Sequence, residues 1–239
     1  MPVGATNQVI VEVLRSVSKQ PFNEEETQML RKPLLAILIM APMLSGCALI
    51  TGTAPLTYRP EKNVAVLPRA RNIVVRVVVK NDKARKRVGS KKNGFGESMA
   101  AIYAKEPISK TVQSAIEEEL AARGFGTGSN GPVVVNAIVK EFHNTFHLGL
   151  LEGEAVARLN MAVTVLTKGR REVFSKDILA TGKTSGILAS GSNAAIALDR
   201  ALHAGMKTLF GNPAFIQALL TARKESPCGR CAGAARPRP

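Results

Sequence analysis

Four consecutive residues, Leu44-Ser45-Gly46-Cys47, join an apolar side chain, two small ones and a thiol. A thiol in that setting can accept lipid. The residues before it complete a bacterial export and lipidation signal. Arg31 and Lys32 form a short basic n-region and Leu34 to Met43 an apolar h-region, while Ser45 and Gly46 let the chain enter a signal peptidase cleft. On this reading Cys47 becomes the first mature residue. It carries a thioether-linked diacylglycerol and an amide-linked third chain. Several chains anchor stably, since each buried methylene contributes about 0.8 kcal/mol and one chain alone is marginal. A transmembrane helix is the competing reading, but it needs about 20 apolar residues. Pro33 and Pro42 bracket a shorter run here.

The other candidate groups are weaker. Cys228 and Cys231 form a C-x-x-C among Gly, Ala, Pro and Arg. A zinc site needs four ligands, and His143, His147 and His203 lie in other expected elements. A redox pair would stand at a helix N-terminus beside a sheet. His143 and His147, four apart on a strand, share a face but lack a third ligand. Gly182-Lys183-Thr184 suggests a phosphate loop, yet that loop needs glycine five residues before Gly182, where Asp177 stands. Gly124, Gly126 and Gly128 follow a helix and precede a strand, the reverse of the dinucleotide arrangement. Glu152 and Glu154 flank Gly153 in a turn. No nucleophile has a plausible base, so no catalytic residue, metal ligand or cofactor is expected.

The 239 residues carry 33 Lys and Arg against 18 Asp and Glu, a net charge of +15. Such a surface attracts nucleic acid, anionic lipid or anionic polymer. An envelope location excludes the first. Glu24-Glu25-Glu26 sit ahead of the basic pair, where acidic residues do not suit an n-region. Residues 1–28 are therefore expected to be a disordered over-extension, with translation starting at Met29. Residues 29–46 are the expected signal peptide, and 47–70, with Pro55, Pro60 and Pro68, a lipid-anchored tether. Residues 71–222 are the expected domain and 223–239 a disordered tail. With no Trp, the core must be aliphatic.

The elements that would position any site follow from periodicity. Ile73 to Val79 is a strongly β-branched strand. The run after it holds Lys80, Lys83, Arg85, Lys86, Arg87, Lys91 and Lys92 against Asp82, an exposed basic loop suited to an anionic partner. Pro107 opens a helix with Ile108, Val112, Ala115, Ile116 and Leu120 on one face and Glu117-Glu118-Glu119 largely toward solvent. Gly124 ends it as a left-handed cap. Val133–Phe142, Ala155–Thr167 and Arg171–Thr184 are strands, the last two joined tightly at Lys168-Gly169-Arg170. Ser192 or Asn193 caps a second helix, Ala194 to Phe210. Gly211 stops it, and Asn212-Pro213 begin a short third. The order strand, helix, three strands, helix predicts an α+β fold: a mostly antiparallel sheet with two helices packed on one face.

Ala121-Ala122-Arg123-Gly124-Phe125, Asn130-Gly131-Pro132-Val133 and Gly191 to Asp199, with Asn212, Phe215 and Ile216, resemble the YajG family of bacterial lipoproteins over roughly residues 29–222. The resemblance implies an outer-membrane lipoprotein with no catalytic set to carry over. The basic run and the cysteine-containing tail depart from it. Three readings follow. The first is a non-enzymatic lipoprotein on the periplasmic face of the outer membrane that binds an envelope protein or glycan. The second is a binder of anionic lipid or peptidoglycan through the basic run. The third is a wall or lipid hydrolase, which the missing catalytic set disfavours. The membrane is a partner through the lipid; oligomeric state is left open.

Overall fold

The computed structural model describes residues 50–62, 64–81, 86–93, 95–148, 153–185 and 190–223. They fall within one compact unit, Ala48–Pro239. The signal peptide, the Cys47 motif, Lys83, Arg85 and both tail cysteines lie outside the described residues.

The described residues form an α+β fold, with three α-helices and sheets of five and three strands. The larger sheet is built from β2 (Val74–Asn81), β5 (Gly126–Thr127), β6 (Val133–Leu148), β7 (Gly153–Leu166) and β8 (Glu172–Ser185). Their spatial order is β5-β2-β6-β7-β8. The meander β6-β7-β8 is antiparallel, as strands joined by short turns must be. The expectation of a mostly antiparallel sheet fails at β2. It runs parallel to both β6 and β5, because α1 (Ile108–Ala122) carries the chain back before β6 begins.

The smaller sheet, ordered β1-β4-β3, comprises β1 (Gly52–Ala54), β3 (Arg87–Lys92) and β4 (Ser98–Ala104). It corrects two expectations. Arg87 to Lys92 is a strand of a hairpin, not a loop. The segment read as a tether over 47–70 is docked from Gly52 onward: β1 pairs parallel with β4, and Ala54, Tyr58 and Ala70 are buried.

α1 follows its predicted apolar face and ends as expected. Gly124 takes φ +90°, its N–H reaches the Ala121 carbonyl and the Phe125 N–H the Leu120 carbonyl. α2 (Gly191–Phe210) buries Ala195, Leu198, Leu202, Met206 and Leu209. Its cap is Ser190, whose hydroxyl accepts from the Asn193 N–H at 3.3 Å, not Ser192 or Asn193. Gly211 is right-handed there, φ −76°, so the stop comes from Asn212, which caps α3 (Pro213–Thr221). The core is aliphatic, with Val75, Val135, Leu159, Met161, Val163, Ile178, Leu198 and Met206 fully buried between sheet and helices.

α2 approaches β8 so closely that only glycine fits at position 182. A Cβ there would lie 2.2 Å from the Ala197 carbonyl oxygen and 2.2 Å from the Ala201 nitrogen. Gly182-Lys183-Thr184 thus lies inside a strand and serves helix packing.

Candidate functional site

Strand alternation places Arg76, Val78 and Lys80 of β2 on the side of the sheet opposite the buried Val75 and Val77. Val134 and Ile138 of β6 stand beside Arg76 and Lys80 in register. The β7–β8 turn then brings Lys168 and Arg170 over the same surface. Together these residues line an open cleft of about 640 Å³, with apolar Val78, Val134, Ile138 and Leu166 at its base. Arg76, Lys80, Lys168 and Arg170 surround it, and no carboxylate lines it among the described residues. None of the four cations forms an ion pair among the described residues; the nearby Lys140 is paired with Asp177 at 2.7 Å.

The turn is tight, with the Arg170 N–H on the Thr167 carbonyl at 2.8 Å and the Thr167 N–H on the Arg171 carbonyl at 2.9 Å. Arg170 takes φ 62°, the one positive φ at a non-glycine residue among those described. Glycine or asparagine relaxes that conformation. A left-handed residue at this position is what a three-residue hairpin loop closed by a type I turn requires, so the turn geometry sets Arg170 at the mouth of the cleft.

Of the expected basic run, Lys83 and Arg85 lie outside the described residues, and the rest lie in or beside two strands. Lys80 lines the cleft, Lys86 is exposed before β3, and Arg87, Lys91 and Lys92 belong to β3. Arg87 borders a second depression of about 500 Å³ with Lys140, Glu141 and His143, where charges are mixed. His143 and His147 share β6, facing Arg158 and Glu154 in register. Among the described residues no three His, Cys, Asp or Glu side chains gather to hold a metal. No helix among them is long and apolar enough to cross a membrane.

Sequence reasoning missed Arg76, Lys168 and Arg170 as partners of Lys80. The i, i+2, i+4 spacing of Arg76, Val78 and Lys80 was the available signal, since it puts all three on one face. It also missed Glu119, expected toward solvent, which is 2 % exposed. Glu119 lies three residues after Ile116 and four after Ala115, on the buried face of α1. Its carboxylate pairs with Arg123, accepts the Tyr58 hydroxyl, and takes the Glu61 N–H at 3.2 Å. The Arg123 guanidinium lies 4.5 Å over the Phe210 ring. Tyr58 stacks on His203 with ring centroids 4.5 Å apart. Burial and the Glu119 carboxylate push the Tyr58 hydroxyl far above its usual range, so it stays a donor. This knot fastens the segment after β1 onto α1 and α2 and borders a depression of about 130 Å³.

A family model described as uncharacterized lipoprotein matches residues 60–220. No curated protein matches the chain. Among solved structures, the Xanthomonas campestris protein XCC0632 is similar at 12 % identity and TM-score 0.48, covering 66 % of this chain and 92 % of that one. The hypothetical protein CT253 of Chlamydia trachomatis is similar at 12 % identity and TM-score 0.36, over 62 % of this chain and 96 % of that one. A minor lipoprotein of Acinetobacter baumannii is similar at 11 % identity and TM-score 0.35, over 58 % and 93 %.

Proposed function

The chain belongs to the Lipoprotein_16 family of uncharacterized lipoproteins, and from that premise we propose a lipid-anchored, non-enzymatic binding protein of the cell envelope. Lipid on Cys47 holds it to the periplasmic face of the outer membrane, and its open sheet face receives an acidic envelope partner. Leu44-Ser45-Gly46-Cys47 supports the anchor. Ala48 supports the outer membrane, since aspartate after the cysteine is the usual signal for inner-membrane retention. Ala121-Ala122-Arg123-Gly124-Phe125 and Gly191 to Asp199 support the finer assignment to YajG-like lipoproteins.

One observation carries the binding role. Arg76, Lys80, Lys168 and Arg170 surround an apolar base with no carboxylate among the described lining residues. Clustered like charges repel, and leaving them unpaired in one cleft costs stability that an anionic occupant returns. A photo-crosslinking side chain at Ile138, on the base of the cleft, tests this in cells. A discrete adduct is expected, lost when Arg76, Lys80 and Lys168 become Ser and Arg170 becomes Gly. Adducts that survive the four substitutions would show that the cleft does not recognise charge.

A further inference from the structure

The N-terminal end of β1 fixes where a lipid on Cys47 must enter the membrane. β1 runs parallel to β4 with Gly52 beside Ile102. Two residues earlier, Ile50 therefore lies near the level of Ala100, on the way to the turn between β3 and β4. From Ile50 back to Cys47 is three residues, which span at most about 11 Å. Acyl chains on Cys47 would therefore leave the protein within about 11 Å of Ile50, at the end of the small sheet that carries the β3–β4 turn.

That turn is built to present one apolar side chain. The Asn93 side-chain oxygen accepts the Phe95 N–H at 3.1 Å and the Glu97 N–H at 2.9 Å. The Asn93 amide nitrogen donates to the Glu97 carboxylate at 2.8 Å, and Gly96 closes the turn at φ +83°. Phe95 at its tip is 93 % exposed, the most exposed large apolar side chain among the described residues. Ile50 at 63 % and Met99 at 38 % are exposed at the same end of the small sheet. Lys91 and Lys92 stand just behind the turn in β3; the Lys91 stem lies over Gly52, where a Cβ would meet it at 3.3 Å. A single exposed apolar residue is ordinary on a protein surface. A rigidly held aromatic, two exposed apolar residues and a lysine behind them, at the end from which lipid on Cys47 would depart, match the layering of a bilayer interface.

We propose that the β3–β4 turn is a membrane-seating element: Phe95 enters the lipid interface, with Ile50 and Met99 at its margin, and Lys92 at the level of the head-group phosphates. The orientation rests on the Cys47 anchor proposed above. It makes the lipoprotein stand on this turn, with the cationic cleft directed away from the membrane. The β7–β8 turn bordering that cleft lies at the other end of β6. Val134 of the cleft and Asn144, against which Gly89 of β3 packs, are ten residues apart on β6, about 30 Å.

The chain contains no tryptophan, so Phe95→Trp introduces a single emitter. The full lipidated variant is reconstituted into phosphatidylcholine vesicles with a minor phosphatidylglycerol fraction, with or without brominated acyl chains, and floated. Lys168→Trp, on the β7–β8 turn, is the control. The expected result is co-flotation of both variants, with a blue shift and bromine quenching for Phe95→Trp alone. Co-flotation with a water-like, unquenched Phe95→Trp emission overturns the seating element and leaves the anchor standing. Failure to co-float, with no lipid mass on Cys47, overturns the anchor and the orientation with it. Vesicles contain no other protein, so contact with a protein partner cannot imitate the positive result.

Discussion

Glu119 is a charged side chain in the interior, tolerable because three donors meet it. Arg123, the Tyr58 hydroxyl and the Glu61 N–H supply what water would have supplied. Glu119→Ala leaves the Arg123 guanidinium buried and unpaired. It is expected to destabilise the domain by about 3–5 kcal/mol, read as a lower urea midpoint at unchanged slope. Asp199 is the opposite case. Its Oδ1 has no hydrogen-bond partner, and burial pushes the carboxyl up to about 6 despite the opposing Thr57 N–H. A folded carboxyl raised above its unfolded value binds protons that the unfolded chain has released. Its contribution is therefore most favourable below about pH 4 and is lost as pH rises through about 6. Asp199→Asn should add about 1 kcal/mol at pH 7 after allowance for solvent screening, the gain vanishing near pH 4. Thermal unfolding of both chains across that range decides it, and equal pH profiles would refute the assignment. Neither residue announced itself. Glu119 stood in a triplet of glutamates whose average character is solvent-facing, and only its offset from Ala115 and Ile116 marked it as inward.

Elements with continuous apolar periods were legible to within a few residues. α1 shows its face and both ends in sequence, because Pro107, the 3.6-residue repeat and Gly124 all act locally. β6, β7 and β8 declare themselves by alternation. What escaped was the small sheet. β1 has three residues and β4 buries only Ile102 and Ala104, so neither carries a period long enough to read. Their pairing is non-local, and β3 hides within a run of lysines whose charge dominates any pattern. The parallel β2 was equally invisible to composition, since strand direction depends on the crossover rather than on the strand. The β8–α2 contact provides an element-scale prediction. Gly182→Ala sets a methyl against the backbone of α2, which cannot give way by side-chain rotation. A loss of about 3 kcal/mol is expected, at the upper end for overpacking. Gly169→Ala in the β7–β8 turn, where a Cβ meets nothing closer than 3.8 Å, should cost far less in the same thermal assay.

At the scale of the molecule, docking of residues 52–70 changes what the anchor can do. A free 47–70 tether would let the domain drift from the bilayer and approach it in any orientation. With β1 paired to β4, and Tyr58 fastened to Glu119, the chain between Cys47 and the folded body shortens to a few residues. On the proposed anchor, the domain would be held against the membrane at one end, with its cationic cleft toward the other. The structure adds a second grouping of charge to the basic run visible in the sequence. The run from Lys80 to Lys92 is consecutive and so visible in sequence, whereas Arg76, Lys80, Lys168 and Arg170 are gathered only by strand pairing and the β7–β8 turn. All of this depends on lipid at Cys47, so the most direct measurement is fractionation of Cys47→Ser beside the parent chain, with mass analysis of the mature N-terminus. The account predicts a parent that pellets with the outer membrane in high salt and carries acyl mass on Cys47, and a variant that is released from it. A variant that still pellets with the outer membrane in high salt would contradict it.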